Sequence, residues 1–137
     1  MSFTVDGTDY TLNVIAARET AVSSYYIALC INEPGITASG GEIDEPLGLG
    51  YRRAEIENIS ANWDVIHGQL TTTVDIDFPL ADEDWGEVRY WAVCDSEDGG
   101  RVLWYDSFTD PFFIGEGEQP TIPAYGLSMY FSRDEDS

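Results

Sequence analysis

Few residue types in this chain are equipped for catalysis. His67, the one histidine, stands in DVIHGQL, and the two thiols, Cys30 and Cys94, lie in the apolar runs YYIALCI and RYWAVC. A nucleophilic thiol needs a base within hydrogen-bond reach. Both cysteines read as strand interior, whereas His67 sits beside Gly68 in a turn, so the sequence does not assemble that pair. Two packed thiols are the simpler reading, because buried free cysteine behaves as a small hydrophobe. A bridge between neighbouring strands stays open, and no Cys-x-x-Cys or Cys/His spacing points to zinc.

Carboxylates are the abundant reactive group, with 26 Asp and Glu in 137 residues. Paired acids hydrolyse glycosides at set separations, but in so acidic a chain some pair lies at almost any separation, and pairing carries no information. Asp95, Glu97 and Gly100, with Asp106 beyond, follow an EF-hand loop loosely. Gly99 occupies the third oxygen position and strands flank the loop, so it fails as an EF-hand. Asp82 and Asp84 of DEDW, Asp95 with Glu97, and the loop GGEIDEP (40–46) are weak candidates for a structural cation. No other cofactor is expected.

Trp63 and Trp85, next to turns, are the candidates for ligand or partner contact by ring stacking. Trp91 and Trp104 fall inside strand runs and are expected in the core or in a packed interface. No glycine-rich phosphate cradle, serine elbow or metal-binding helix occurs. The chain therefore reads as non-enzymatic.

The elements around these residues are mostly strands. Helical periodicity is confined to 11–23, where Leu12, Ile15 and Ala16 recur at spacings of three and four, and the Asp-Gly of VDGTDY reads as a tight turn before it. SYYIALCIN (24–32) reads as a central strand closed by Pro34-Gly35. The glycine-rich 35–50 reads as a long exposed loop, and YRRAEIENI (51–59) as the next strand. LTTTVDIDF (70–78) alternates, with Leu70, Thr72, Val74, Ile76 and Phe78 inward and Asp75 and Asp77 in water. VRYWAVC and RVLWYD form a hairpin across DSEDGG, and YGLSMYFS closes the fold with Leu127, Met129 and Phe131 inward. The expectation is an all-β, antiparallel β-sandwich of about seven strands with one short N-terminal helix. It forms a single domain over 1–137, with 1–23 as an N-terminal arm and 133–137 as a loose acidic tail.

The charge balance excludes whole classes of partner. With 26 acids against 6 bases the formal net charge is -20, and every base is arginine. Nucleic-acid binding rests on cationic side chains neutralising phosphates, so such partners are excluded. No apolar run approaches the roughly 20 residues of a membrane span, and the N-terminus lacks the features of a signal peptide. Acids spread along a chain without lysine fit a salt-rich medium, where the Debye length falls to about 3 Å at 1 M and self-repulsion is screened.

The stretch WGEVRYWAVCDSEDGGRVLWYDSFTDP (85–111) resembles a pattern in small virion structural proteins, of tail fibre or minor tail type, from tailed viruses of bacteria and archaea. SSYYIALCINEPG, GLGYRRAEI and IGEGEQPTIPAYGLSMYF agree in order, so the resemblance covers about 24–132. It implies a non-enzymatic virion protein, in the tail, baseplate or tail fibre, assembled in the host cytoplasm and docked to other virion proteins as a homo-oligomer or multi-copy assembly. A capsid decoration or turret position, or a receptor- or glycan-binding module at a fibre tip, are the alternatives. The absence of lysine suggests a haloarchaeal virus.

Overall fold

The computed structural model describes residues 2–48 and 50–130. In chain order the elements are β1 (Ser2–Phe3), α1 (Val5–Ile15), β2 (Ser24–Cys30), β3 (Ala54–Glu57), a 3-10 turn (Ser60–Asn62), β4 (Trp63–Ile66) and β5 (Gln69–Thr72). There follow β6 (Ile76–Asp77), β7 (Gly86–Cys94), β8 (Val102–Ile114), β9 (Thr121–Ile122) and β10 (Ser128–Tyr130). All pairings are antiparallel. The sheets run β1-β8-β7-β2-β3, β10-β5-β4 and β6-β9. The protein is thus all-β with one short N-terminal helix, and it divides its pairing among more and shorter strands than the alternation suggests.

The β7–β8 hairpin forms the centre. Its turn holds because Asp95 accepts the Arg101 backbone N–H at 2.8 Å and the Arg101 Nε–H at 2.6 Å. Gly100 closes it at φ +70, where a side chain would strike Asp95 Oδ1. Two register shifts shape β8. One, opposite Val93 and Cys94, makes Leu103 an extra residue; the other lets Phe108–Pro111 leave the ladder, which is where a proline is tolerated in a strand.

The first shift anchors α1. Leu103's carbonyl accepts the Thr4 backbone N–H at 3.0 Å, and the Thr4 hydroxyl donates to the carbonyls of Val102 and Leu103. That same hydroxyl accepts the Gly7 N–H at 2.8 Å as the helix N-cap, a role threonine's short side chain suits. A Cβ on Gly7 would fall 1.6 Å from Leu103's carbonyl oxygen, so the helix can lie this close only with glycine there. VDGTDY is therefore the first turns of α1 and not a tight turn, because the cap and this contact override the Asp-Gly preference.

Both faces of the five-stranded sheet are covered. On one, Ile27, Leu29, Val93 and Leu103 meet Tyr10 of α1 and Phe78, Ile122, Leu127 and Met129 from the smaller sheets. Each fully buried aliphatic or Phe side chain contributes roughly 1.5–3 kcal/mol. On the other, the small side chains Ala28, Cys30, Ala92 and Cys94 let the loop 31–50 settle down, with Ile43 against them. That loop is not a long exposed one: Gly40 and Pro46 are buried.

LTTTVDIDF turns its predicted residues inward but does not run as one strand. After β5 the Thr73 N–H donates to Asn62's carbonyl and the Tyr125 N–H to that of Thr72, so the chain crosses to β6 in another sheet. Leu127 and Met129 are buried as expected; Phe131 and the tail 133–137 lie outside the described residues.

Candidate functional site

Among the described residues a groove of about 460 Å³ opens between α1 and the β10-β5-β4 sheet. Opposed positions of antiparallel strands share a face. Val65, Leu70 and Met129, opposed across the three strands, therefore form one continuous apolar wall. Tyr10, Val14 and Ile15 of α1 make the other wall, and Tyr25 and Trp104 the floor. Among the described residues none that lines it is charged. The chain's net charge is -20, so a surface of this extent without carboxylates stands out; a smaller uncharged hollow lies by Phe108 and Phe112.

The groove is held open by a rigid floor. Tyr10 and Tyr25 share a hydroxyl hydrogen bond of 2.8 Å, and the Val22 N–H donates to the Tyr10 hydroxyl at 3.1 Å. Tyr25 stands edge-on to Trp63 and tilted against Trp104. The indole N–H groups of Trp63 and Trp104 are buried without an acceptor among the described residues. Leaving a buried donor unmade costs about 1–3 kcal/mol.

The rim is apolar and exposed. Ile15 is 76% exposed and Val65 74%, while Leu12, 58% exposed, lies beyond the groove lining on the solvent side of α1. Leu12, Ile15 and Ala16 are thus not the buried stripe of α1, which is Gly7 and Tyr10 with Val14 alongside. The helix has an apolar face on the core and a second one in solvent. Thr4 as a cap, with Tyr10 and Val14 four apart, is the signal that would have placed the buried face.

The residues singled out for chemistry are scattered. His67 is exposed at φ +53 in the two-residue turn from β4 to β5, while both thiols are fully buried on the loop-covered face of the large sheet. They are not brought together. Cys30 stands opposite Tyr90, and Cys94 opposite Tyr26, an offset of roughly 13 Å along the strands, too long for a disulfide. Burial pushes both thiols up, Cys94 to about 12, which leaves them unionised.

Asp82 and Asp84 are exposed, and Asp84 accepts the Glu116 N–H at 2.8 Å. Burial opposes the charge on Asp95, but hydrogen bonds from Arg101 and Ser96 outweigh it and hold the carboxyl below its ordinary value. Glu97 is exposed at the edge of a shallow polar hollow with Tyr26, Arg52 and Asp77. Among the described residues no three of His, Cys, Asp and Glu are grouped to hold a metal ion. Trp85 is 4% exposed and stands edge-on to Tyr51 in the core, so it presents no ring to a ligand. Trp63 is half-buried at the start of β4, and Trp91 and Trp104 are core residues, 4% and 5% exposed.

On the far side of the molecule the polar chemistry is spent on structure. Buried Arg53 donates to Glu45 Oε1 at 2.8 Å and to the carbonyls of Gly40, Ser96 and Gly99, at 2.8, 2.9 and 2.9 Å. It ties the loop between β2 and β3 to the β7–β8 turn.

Comparison with known families decides the identity. The family described as Podophage GP4 fiber I protein gp80 matches residues 8–130. The chain belongs to that family. A podophage fibre protein is a component of the virion with a structural role in the tail fibre and associates with other virion proteins. A search of curated proteins gives no match. No helix among the described residues is long and apolar enough to cross a membrane.

Proposed function

We propose that this podophage-fibre-family chain is a non-enzymatic tail, baseplate or tail-fibre part, present in several copies, and that it works by docking through the groove between α1 and β4. The observation that carries this is the uncharged groove with an exposed apolar rim on an otherwise acidic chain. Exposed apolar surface is where proteins make contacts, and burying it supplies the association energy. Gold-labelled antibody against the chain is expected to decorate the tails of purified virions. Label confined to the capsid shell would favour the decoration or turret reading, and absence from virions would remove the proposal. A glycan-binding module at a fibre tip draws less support, because buried Trp85 leaves Trp63 as the remaining candidate ring.

The solvent setting is a separate part of the reading. Composition alone suggests a salt-rich medium; the matching family, described as a podophage one, lends a haloarchaeal host no support. The thermal midpoint is expected to climb between about 0.1 M and about 3 M KCl as screening tightens. A flat or falling midpoint would count against a brine-adapted surface.

A further inference from the structure

The open end of the β7–β8 hairpin lies across from a second strand edge. β9 pairs on one side only, with β6, and no sheet joins it to β8. Between them lie two adjoining hollows that share Phe112 and Thr121. The one of about 200 Å³ reaches Phe78, Phe108 and Ile122, and the one of about 280 Å³ reaches Phe113 and Glu118. Phe108 and Phe112 stand edge-to-face at 4.9 Å, while Phe113 is 59% exposed. Exposed aromatic surface beside such hollows is suited to contact.

The hydrogen-bonding phase of β9 follows from one bond. The Phe78 N–H donates to Pro120's carbonyl at 3.0 Å, so 78–120 is a hydrogen-bonded position, and such positions alternate along an antiparallel ladder. Ile122 therefore bonds inward to Ile76, and Thr121, opposite Asp77, turns its N–H and C=O away from β6. The exposed Thr121 hydroxyl donates to Asp77 Oδ1 at 2.7 Å, while Ile122 beside it is buried. Pro120 and Pro123 on either side have no N–H to offer, so Thr121 is the residue of β9 whose backbone can take a new strand.

We propose that these hollows take a short extended segment of another virion protein, paired antiparallel to Thr121, with one apolar side chain in each hollow and lysine or arginine on its flanks. This goes beyond the α1–β4 groove and does not depend on it. Opposed side chains of an antiparallel pair share a face, so the residue opposite Thr121 points to solvent, and its two neighbours point inward as Ile122 does. Those neighbours stand about 6.6 Å apart, one to each side of Thr121. The hollows lie there too, since one runs on to Pro123 and the other back to Glu118. Backbone bonds then give hold and the two hollows give choice of side chain, as in other strands added to a sheet edge.

Charge selects the flanks and the source. Glu118 lines one hollow, Asp77 backs Thr121, and Asp110 lies in β8 between Phe108 and Phe112. Among the described residues no base lines either hollow. A second copy, of net charge -20 and without lysine, is repelled by that rim. A basic segment is drawn to it.

Titration of the full chain with the peptide Lys-Lys-Thr-Val-Thr-Leu-Thr-Lys-Lys, followed by amide chemical shifts, tests this. Saturable shifts are expected at Phe112, Phe113, Thr121 and Ile122. Three changes are each expected to weaken binding about tenfold or more. They are Phe113→Ser, at an exposed position that leaves folding intact by circular dichroism; glutamates in place of the peptide's lysines; and N-methylation of its central threonine, which removes the donor to Thr121's carbonyl. Ile15→Ser in the α1–β4 groove is the control that leaves binding unchanged. No saturable shift, shifts that map to that groove, or indifference to any of the three changes overturns the proposal. A fibre in which these hollows stand bare or hold a second copy's strand also overturns it, while sparing the α1–β4 docking reading.

Discussion

Two sheet edges in this molecule are built on opposite principles. β3, the edge of the large sheet, alternates buried Ala54 and Ile56 with exposed Glu55 and Glu57, and β6 packs against it. Its side of the fold is closed, with loop 31–50 laid over the second sheet face and Arg53 fastening Gly40, Ser96 and Gly99. β4 has neither carboxylate rows nor a covering element among the described residues, and the groove opens beside it. In a chain that places acids almost everywhere, one edge and one helix face left apolar are the surfaces the proposed docking would use. Edge protection on β3 shows that the fold has the means to blunt a strand, a means it uses on neither β4 nor β10, the two edges of the smaller sheet.

The contrast can be broken first on the closed side. Arg53→Met leaves Glu45 and three carbonyls without their donor, and losing one partner of a buried pair costs about 3–5 kcal/mol. A large fall in thermal midpoint is expected by calorimetry, with the β4 side still competent to dock. A small effect would mean the loops hold themselves.

The next effect in size comes from pH. Cys94 is raised by burial to about 12 from an ordinary value of 9.0. Its folded value lies above its unfolded one, so its contribution is whole below pH about 9 and is lost as pH climbs toward about 12, on the order of a few kcal/mol. Buried Cys30 shifts the same way. Urea titrations across that range are expected to show stability declining with pH, and less steeply in Cys94→Ala; equal slopes would contradict the burial assignment.

The smallest stability effect is expected on the open side. Ile15→Ser on the solvent face of α1 should change folding by no more than about 0.5 kcal/mol, because that residue is 76% exposed, while weakening association. Stability loss comparable to a core truncation would mean that face is already covered within the chain.

The sequence made the fold class and the central hairpin plain, because alternation of β-branched and aromatic residues with acids is a direct record of half-buried strands. Trp91 and Trp104 were placed correctly on the same ground. Longer-range terms escaped it. Gly7 reads as a turn residue until Leu103's carbonyl, far along the chain, is known to lie against it. Trp85 reads as exposed beside its turn until Gly48 and Tyr51 are seen to close over it. Apolar Leu12 and Ile15 read as core because periodicity reports apolar faces and cannot say whether the fold or a partner covers them. The groove beside α1 was hidden by that ambiguity, and Val65 and Ile66 lay in a segment too short to announce a strand.

The most direct test is a near-atomic reconstruction of the tail fibre in the intact virion. The account predicts density seated in the groove against Val14, Ile15 and Leu70, with β4 beside it covered and β3 facing solvent. A fibre in which β3 and its glutamates form the contacts while the groove and β4 stand bare in solvent would contradict it.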